Sequence, residues 1–188
     1  MAAALALFRA RGYEGVGVAE LTEAMGINAP SLYAAFGSKR GLYERALQRY
    51  AAEAGGYLPE VLAGPGSAAT VLRDVFLKAV ETMTAKGAPR GCLMLDGARY
   101  CADPDVVRLN TERQKFGRDL IRDRIARERP ELAEELADYA MVVLRGLSAG
   151  ARDGLSLERL RATAETAAEG LARRLESAPV STPPRGEA

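Results

Sequence analysis

Residues 15–47 read GVGVAELTEAMGINAPSLYAAFGSKRGLYERAL, and their spacing decides the fold. The apolar residues recur every three or four positions, as on a helix, and not in the alternation of a strand. A helix is expected over 18–25, with Gly17 as its N-cap and Glu20 three residues on. Gly26 and Ile27 then form a tight turn. Asn28 supplies a side-chain acceptor to cap a helix over 29–36, and Pro30 is tolerated there because it falls in the first turn. Ser38 caps the next helix, whose apolar face is Leu42, Ala46, Leu47 and Tyr50. Helix, glycine turn and short helix make a helix-turn-helix. Leu21 and Met25 form its inner face, Ile27 fills the turn, and Leu32 and Phe36 anchor the second helix. Ala29, Pro30, Ser31, Tyr33 and Ala34 are left facing outward near the helix N-terminus, whose free N–H groups and positive dipole suit a phosphate. A bare α-hairpin shares the glycine turn, and Leu32, Phe36 and Leu42 are core in either case.

Helical spacing continues on both sides. Ala4, Leu7 and Phe8 give a first short helix closed by Gly12. Gly55-Gly56 ends the helix that Ser38 begins, and the Pro- and Gly-rich segment 58–66 is the expected domain boundary. A periodic helix follows with Val71, Leu72, Val75, Phe76, Ala79, Val80 and Met83 on one face. Further helices are expected over 92–102, from Asp103 towards Arg129, over 132–153, and from the cap Ser156 to about 176. The chain thus divides into 1–54, 55–176 and a proline-rich tail, 177–188, expected to be disordered.

The composition narrows the chemistry. The 188 residues carry a net charge of only +1, so any polyanion must be met by a local patch. There is no histidine, which removes Ser-His-Asp and Cys-His catalytic pairs and histidine metal ligands. No catalytic, metal or cofactor site is expected. No apolar run is long enough to span a membrane, and the start lacks the basic region of a signal peptide, so a cytoplasmic protein is expected. Two cysteines, Cys92 and Cys101, are too few for a disulfide scaffold.

The segment SLYAAFGSKRGLYERAL, preceded by FRARGYEGVGVAELTEAMGI, resembles the TetR family of transcriptional regulators. GCLMLDGARYCADP and LRGLSAGARDGLSLERLRATAETAAEGL resemble it more loosely. The resemblance implies an all-α protein with an N-terminal three-helix helix-turn-helix DNA-binding domain and a C-terminal helical ligand-binding and dimerisation domain. It implies a homodimeric repressor released from a palindromic operator in double-stranded DNA by a small-molecule effector. Tyr33 and Lys39 would contact phosphates, while Ala29, Pro30, Ser31 and Ala34 would approach base edges. Two features depart from the family: Val16-Gly17 stands where a Ser or Thr usually precedes the second helix, and the basic N-terminal arm is truncated or missing.

The same resemblance makes the last two helices a dimeric four-helix bundle, with Val143, Gly146, Leu147, Gly150, Leu160, Ala164, Ala167 and Leu171 at the interface. The ligand site would lie among the middle helices, lined by Phe76, Met83, Leu93, Met94, Tyr100, Phe116 and Met141, with Arg99 as an anchor. The same residues suit a solid core equally well. The rival functions are a helical dimeric small-molecule-binding module without effective DNA binding, and a thiol-based sensor. On one continuous helix Cys92 and Cys101 would point to opposite sides, which excludes a disulfide between them; Cys92, near a helix N-terminus, has either a lowered pKa or a packing role. Asp103 and Asp105 read as a cap and a first-turn acid better than as metal ligands. Gly64-Pro65-Gly66-Ser67 lacks the lysine of a phosphate-binding loop, and Arg122, Arg124, Arg127 and Arg129 read as a solvated helix face.

Overall fold

A computed structural model describes residues 1–177; positions 178–188, which include all of the expected tail except Ser177, lie outside the described residues. Among the described residues there are helices and turns but no strand. The first four helices are α1 (Ala2–Arg11), α2 (Val18–Met25), α3 (Ala29–Phe36) and α4 (Lys39–Ala52). The two caps read from the sequence are formed: Asn28 Oδ1 accepts from the Ser31 N–H at 2.8 Å, and Ser38 Oγ from the Gly41 N–H at 3.0 Å. Gly26 ends α2 in the left-handed conformation, φ 65° and ψ 32°, which only glycine adopts without strain. Leu21 and Leu32 are fully buried across that turn, and Phe8, Tyr13 and Tyr43 meet as a cluster with edge-on contacts near 5 Å.

The remainder is built on α6 (Ala68–Met83), whose whole predicted face is buried. Around it lie α5 (Leu58–Leu62), α7 (Leu93–Asp96), α8 (Pro104–Ala126), α9 (Ala133–Arg152) and α10 (Leu157–Ser177). α10 packs along α6, and α8 along α9. Two elements differ from expectation. The segment 58–66 is not simply a linker: Pro59 sits in the first turn of a short helix, where its missing N–H is harmless, and Leu62 is buried. The helix expected over 92–102 is one turn long. It stops at Asp96 because Gly97 enters a space no side chain fits; a Cβ there would lie 2.3 Å from the Tyr43 hydroxyl. The chain then turns back through Tyr100, at φ 59°, and the Glu14 carboxylate accepts from the Ala102 N–H at 2.9 Å. Asp103 caps α8 by accepting from the Asp105 and Val106 N–H groups. Pro130 opens a 3-10 turn, Pro130–Leu132, ahead of α9.

The first four helices are seated on the others through a buried polar joint. Arg152, at the end of α9, donates from Nη2 to the Arg9 carbonyl at 2.9 Å and from Nη1 to the Ala10 carbonyl at 3.2 Å. These are free carbonyls near the C-terminus of α1, where a cation also suits the helix dipole. The Arg152 Nε is held by Asp96 Oδ2 at 3.0 Å. Ser148 also donates to Asp96, and accepts from the Cys92 N–H at 2.8 Å. Arg9 crosses the other way, donating to the Gly91 and Thr82 carbonyls. On the α4 side the Tyr43 hydroxyl donates to Asn110 Oδ1 at 2.7 Å, and Asn110 Nδ2 donates to the Leu93 and Met94 carbonyls. α7 is therefore clamped between α1, α4, α8 and α9.

Candidate nucleic-acid interface and internal cavity

The N-terminal end of α3 is open to solvent. Pro30, Ser31 and Ala34 are exposed, Ala29 is half-buried, and the Tyr33 ring is 48% exposed although Leu32 beside it is buried. Lys39 begins the next helix and is half-buried; its ammonium sits 4.1 Å from the centre of the Tyr13 ring. A cation over an aromatic face is held without being neutralised, and Lys39 has no carboxylate partner among the described residues. The neighbouring cations differ. Arg11 pairs with Glu20, and Arg40 pairs with Asp105 on α8. Lys39 and Tyr33 are thus the groups on this face with a free charge and a free hydroxyl. Tyr13, which positions Lys39, carried no signal in the sequence. At the start of α2 the exposed Gly17 offers no hydroxyl, and the Thr22 hydroxyl is spent on the Ala19 carbonyl at 2.7 Å.

Behind these helices is a cavity of about 190 Å³. Its wall is apolar almost throughout: Tyr57 and Leu58 on one side, Met94 and Leu95 of α7, Leu120 of α8, and Leu144 of α9. Of the expected ligand residues, Met94, Phe116 and Met141 line it. Phe76, Met83 and Leu93 do not; all three are buried in the core around α6 and α7. Arg99 and Tyr100 do not either, because the short α7 carries them away. Arg99 pairs with Asp96 at 3.5 Å, and Tyr100 is 93% exposed. The charged residue at the cavity is Arg113 instead. The spacing Arg113, Phe116, Gly117, Leu120 along α8 is that of one helix face and was the available signal for it.

The cysteines sit apart in role. Cys92 is buried on the cavity wall, and burial pushes its thiol pKa up. Burial also raises that of Cys101, which donates to Glu14 at 3.3 Å. Neither thiol has the lowered pKa of a reactive sensor, despite the N-cap position of Cys92. Cys92 and Cys101 also do not share a continuous helix, so the helical spacing argument against pairing them does not apply.

Three comparisons bear on this geometry. Residues 1–46 match the model of the bacterial regulatory proteins, tetR family. The HTH-type transcriptional repressor BdcR of Escherichia coli K12 is 38% identical over 171 residues, which are 91% of this chain and 86% of that protein. The chain belongs to the TetR family. It is accordingly a DNA-binding transcriptional regulator. The HTH-type transcriptional repressor ComR of the same organism is 31% identical over 87% of this chain and 82% of its own. Among solved structures, the TetR family regulator CifR is 38% identical, with a TM-score of 0.83 over 89% of this chain and 93% of that one. CifR was solved as a cysteine-substituted variant complexed with 26-base-pair operator DNA.

As in other TetR chains, α9 and α10 lie side by side; here the Tyr139 hydroxyl donates to the Ala167 carbonyl at 3.1 Å. The interface set expected from the sequence needs correction. Leu147, Leu160, Ala164 and Leu171 are buried within the single chain and form part of its own core. A Cβ on Gly150 would lie 2.8 Å from Leu155 of the same chain, so that glycine also serves internal packing. Val143 and Ala167 are half-buried, and Gly146 is open to solvent. The apolar residues that face outward are Val142, 63% exposed, with Tyr139 and Leu157. Among the described residues no helix is long and apolar enough to cross a membrane.

Proposed function

We propose that the protein is a cytoplasmic homodimeric repressor that binds a palindromic operator through α3 and leaves it when a small molecule enters the cavity. Residues 1–54 read DNA, and residues 55–176 bind the effector and the second subunit. The observation that carries this reading is the open N-terminal end of α3, flanked by the exposed Tyr33 and the unpaired Lys39. Tyr33 and Lys39 position the protein on phosphates. Ser31 makes a modest base contact, and Ala29, Pro30 and Ala34 offer only apolar contact, so thymine methyl groups and DNA shape supply much of the specificity. The dimer forms through the outward faces of α9 and α10, around Tyr139, Val142 and Gly146.

The joint around α7 supports a route from cavity to DNA. Met94 and Leu95 face the cavity, while Asp96 and Gly97, next in sequence, hold α1: Asp96 through Arg152, and Gly97 by accepting from the Tyr13 N–H at 2.8 Å. A ligand that moves this single turn tilts α1 and α4 and changes the separation of the two recognition helices. It acts only by preferring the DNA-incompetent state, and a hundredfold loss of affinity requires about 2.7 kcal/mol of such preference.

The DNA reading is tested with Lys39→Ala. Binding is expected to weaken across sequences, and the slope of log K against log salt to fall by about one unit. An unchanged affinity and slope would remove Lys39 from the interface.

A further inference from the structure

Arg113 is an unusual arginine for this chain. Its neighbours along α8 are all paired: Arg108 with Asp105 and Glu112, Arg118 with Glu134 and Asp138, Arg122 with Asp119 and Asp123, Arg124 with Glu128. Arg113 has no hydrogen bond or ion pair among the described residues. No acid stands three or four positions away, where helix neighbours meet; those places hold Leu109, Asn110, Phe116 and Gly117. Arg113 lines the apolar cavity, and it also lines the adjoining groove with Glu44, Gln48 and Glu112. Phe116, 59% exposed, is shared by both in the same way. These two residues therefore mark the mouth where the cavity meets solvent. Glu44 and Glu112 share the groove with Arg113 without pairing to it, and Glu112 is held by Arg108 at 3.3 Å.

The second polar residue of the cavity wall reinforces the sign. Gln114 has its amide committed at both ends: Nε2 donates to the Met94 carbonyl at 2.9 Å, and Oε1 accepts from Arg145 at 2.7 Å. The formal charge on the wall is thus the unpaired guanidinium. A guanidinium at the rim of a dry pocket matches a carboxylate in two parallel hydrogen bonds, and is little matched by a neutral or cationic head.

We propose that the cavity takes an amphipathic monocarboxylate: a compact apolar body against Met94, Leu95, Leu120 and Leu144, and a carboxylate at Arg113. The inference rests on the reading of this cavity as the effector site and adds the chemical class of the effector. It predicts that a medium-chain carboxylate binds with its head at the mouth, beside Phe116, and not buried. The pairing weakens as salt is raised, because the mouth is open to solvent.

The test uses three probes of one chain length, hexanoate, hexan-1-ol and hexylamine, titrated calorimetrically into the full-length protein. Hexanoate is expected to bind at least about tenfold more tightly than hexan-1-ol, with hexylamine weakest. In Arg113→Gln the preference for hexanoate over hexan-1-ol should vanish while hexan-1-ol binding is kept. In Arg113→Lys part of the preference should remain. Leu120→Phe, which fills the cavity, should remove both ligands and so places them inside it. Equal affinities for acid and alcohol, tighter binding of the amine, no binding of hexanoate, or a preference unchanged in Arg113→Gln would each overturn the proposal. The effector reading is judged separately, by adding hexanoate to the DNA complex. Hexanoate that binds as stated yet leaves DNA affinity unaltered supports the assignment of the site and contradicts its role in DNA release.

Discussion

Arg152→Ala is expected to lower the melting temperature by roughly 6–12 °C and to weaken operator binding in the same protein. The side chain of Asp96 is only 3% exposed, and Arg152 is its hydrogen-bonded ionic partner. Its Oδ1 accepts no hydrogen bond, and Arg99 adds only a charge at 3.5 Å. Removing the guanidinium leaves a buried carboxylate with Ser148 as its remaining hydrogen-bond donor. Breaking a buried pair from one side costs about 3–5 kcal/mol, and the lower end applies because Ser148 and Arg99 remain. Two carbonyls of α1 lose their donor in the same step. That is why the effect reaches DNA affinity: the seat of the recognition helices is loosened, whereas no group at the DNA surface is changed. Arg108→Ala is the contrast. It breaks two ion pairs on an exposed face of α8 and should change stability by less than about 0.5 kcal/mol. Thermal melts of the two variants, with and without operator, check both halves of the expectation.

Val142→Glu should cost more at the operator and almost nothing in the fold. Val142 lies on the outer face of α9 and is largely exposed in the single chain, so a carboxylate there is well solvated in a monomer. In a two-fold dimer the same patch meets itself, and each substitution places two like charges in one interface. Desolvating them unpaired splits the dimer. One half-site per monomer then replaces two linked ones, a loss of about 10²–10⁴ in operator affinity. Leu160→Glu separates this from plain unfolding. Leu160 is buried in the chain itself, so its variant should lose helical signal outright. Light scattering and circular dichroism on both variants distinguish the cases: a monomer with full helix content for Val142→Glu, and an unfolded chain for Leu160→Glu. A Val142→Glu protein that stays dimeric would move the interface elsewhere.

The parts of this molecule that were legible in the sequence are those set by local chemistry. Asn28, Ser38 and Asp103 announce helix starts because a short side-chain acceptor three residues before a free N–H is a local arrangement, and all three caps are formed. Gly26 announced the turn for the same reason. The misread parts depend on distant residues. Nothing between 92 and 102 says that the helix must stop at Asp96; the reasons are Tyr43 pressing on Gly97 and Glu14 accepting from Ala102. That early stop removed Arg99 and Tyr100 from the ligand site and brought in Arg113. The stripes on α9 and α10 showed truly which faces are apolar, but not what covers them. α6 lies along the Leu160, Ala164 and Leu171 side of α10, leaving the smaller and less regular faces for a partner. Helix periodicity identifies a buried face; it does not say whether the cover belongs to the same chain.

The most direct single measurement is the sequence enriched when this protein selects from a pool of random double-stranded DNA. A two-fold dimer reading with α3 from each subunit is expected to enrich an inverted repeat whose half-site centres are about 10–10.5 base pairs apart, one helical turn of about 34–36 Å, or a multiple of it. The enrichment should disappear in Val142→Glu and should weaken without change of sequence in Lys39→Ala. Recovery of no preferred sequence, or of a single unrepeated half-site from the unsubstituted protein, would contradict a dimeric operator-binding repressor.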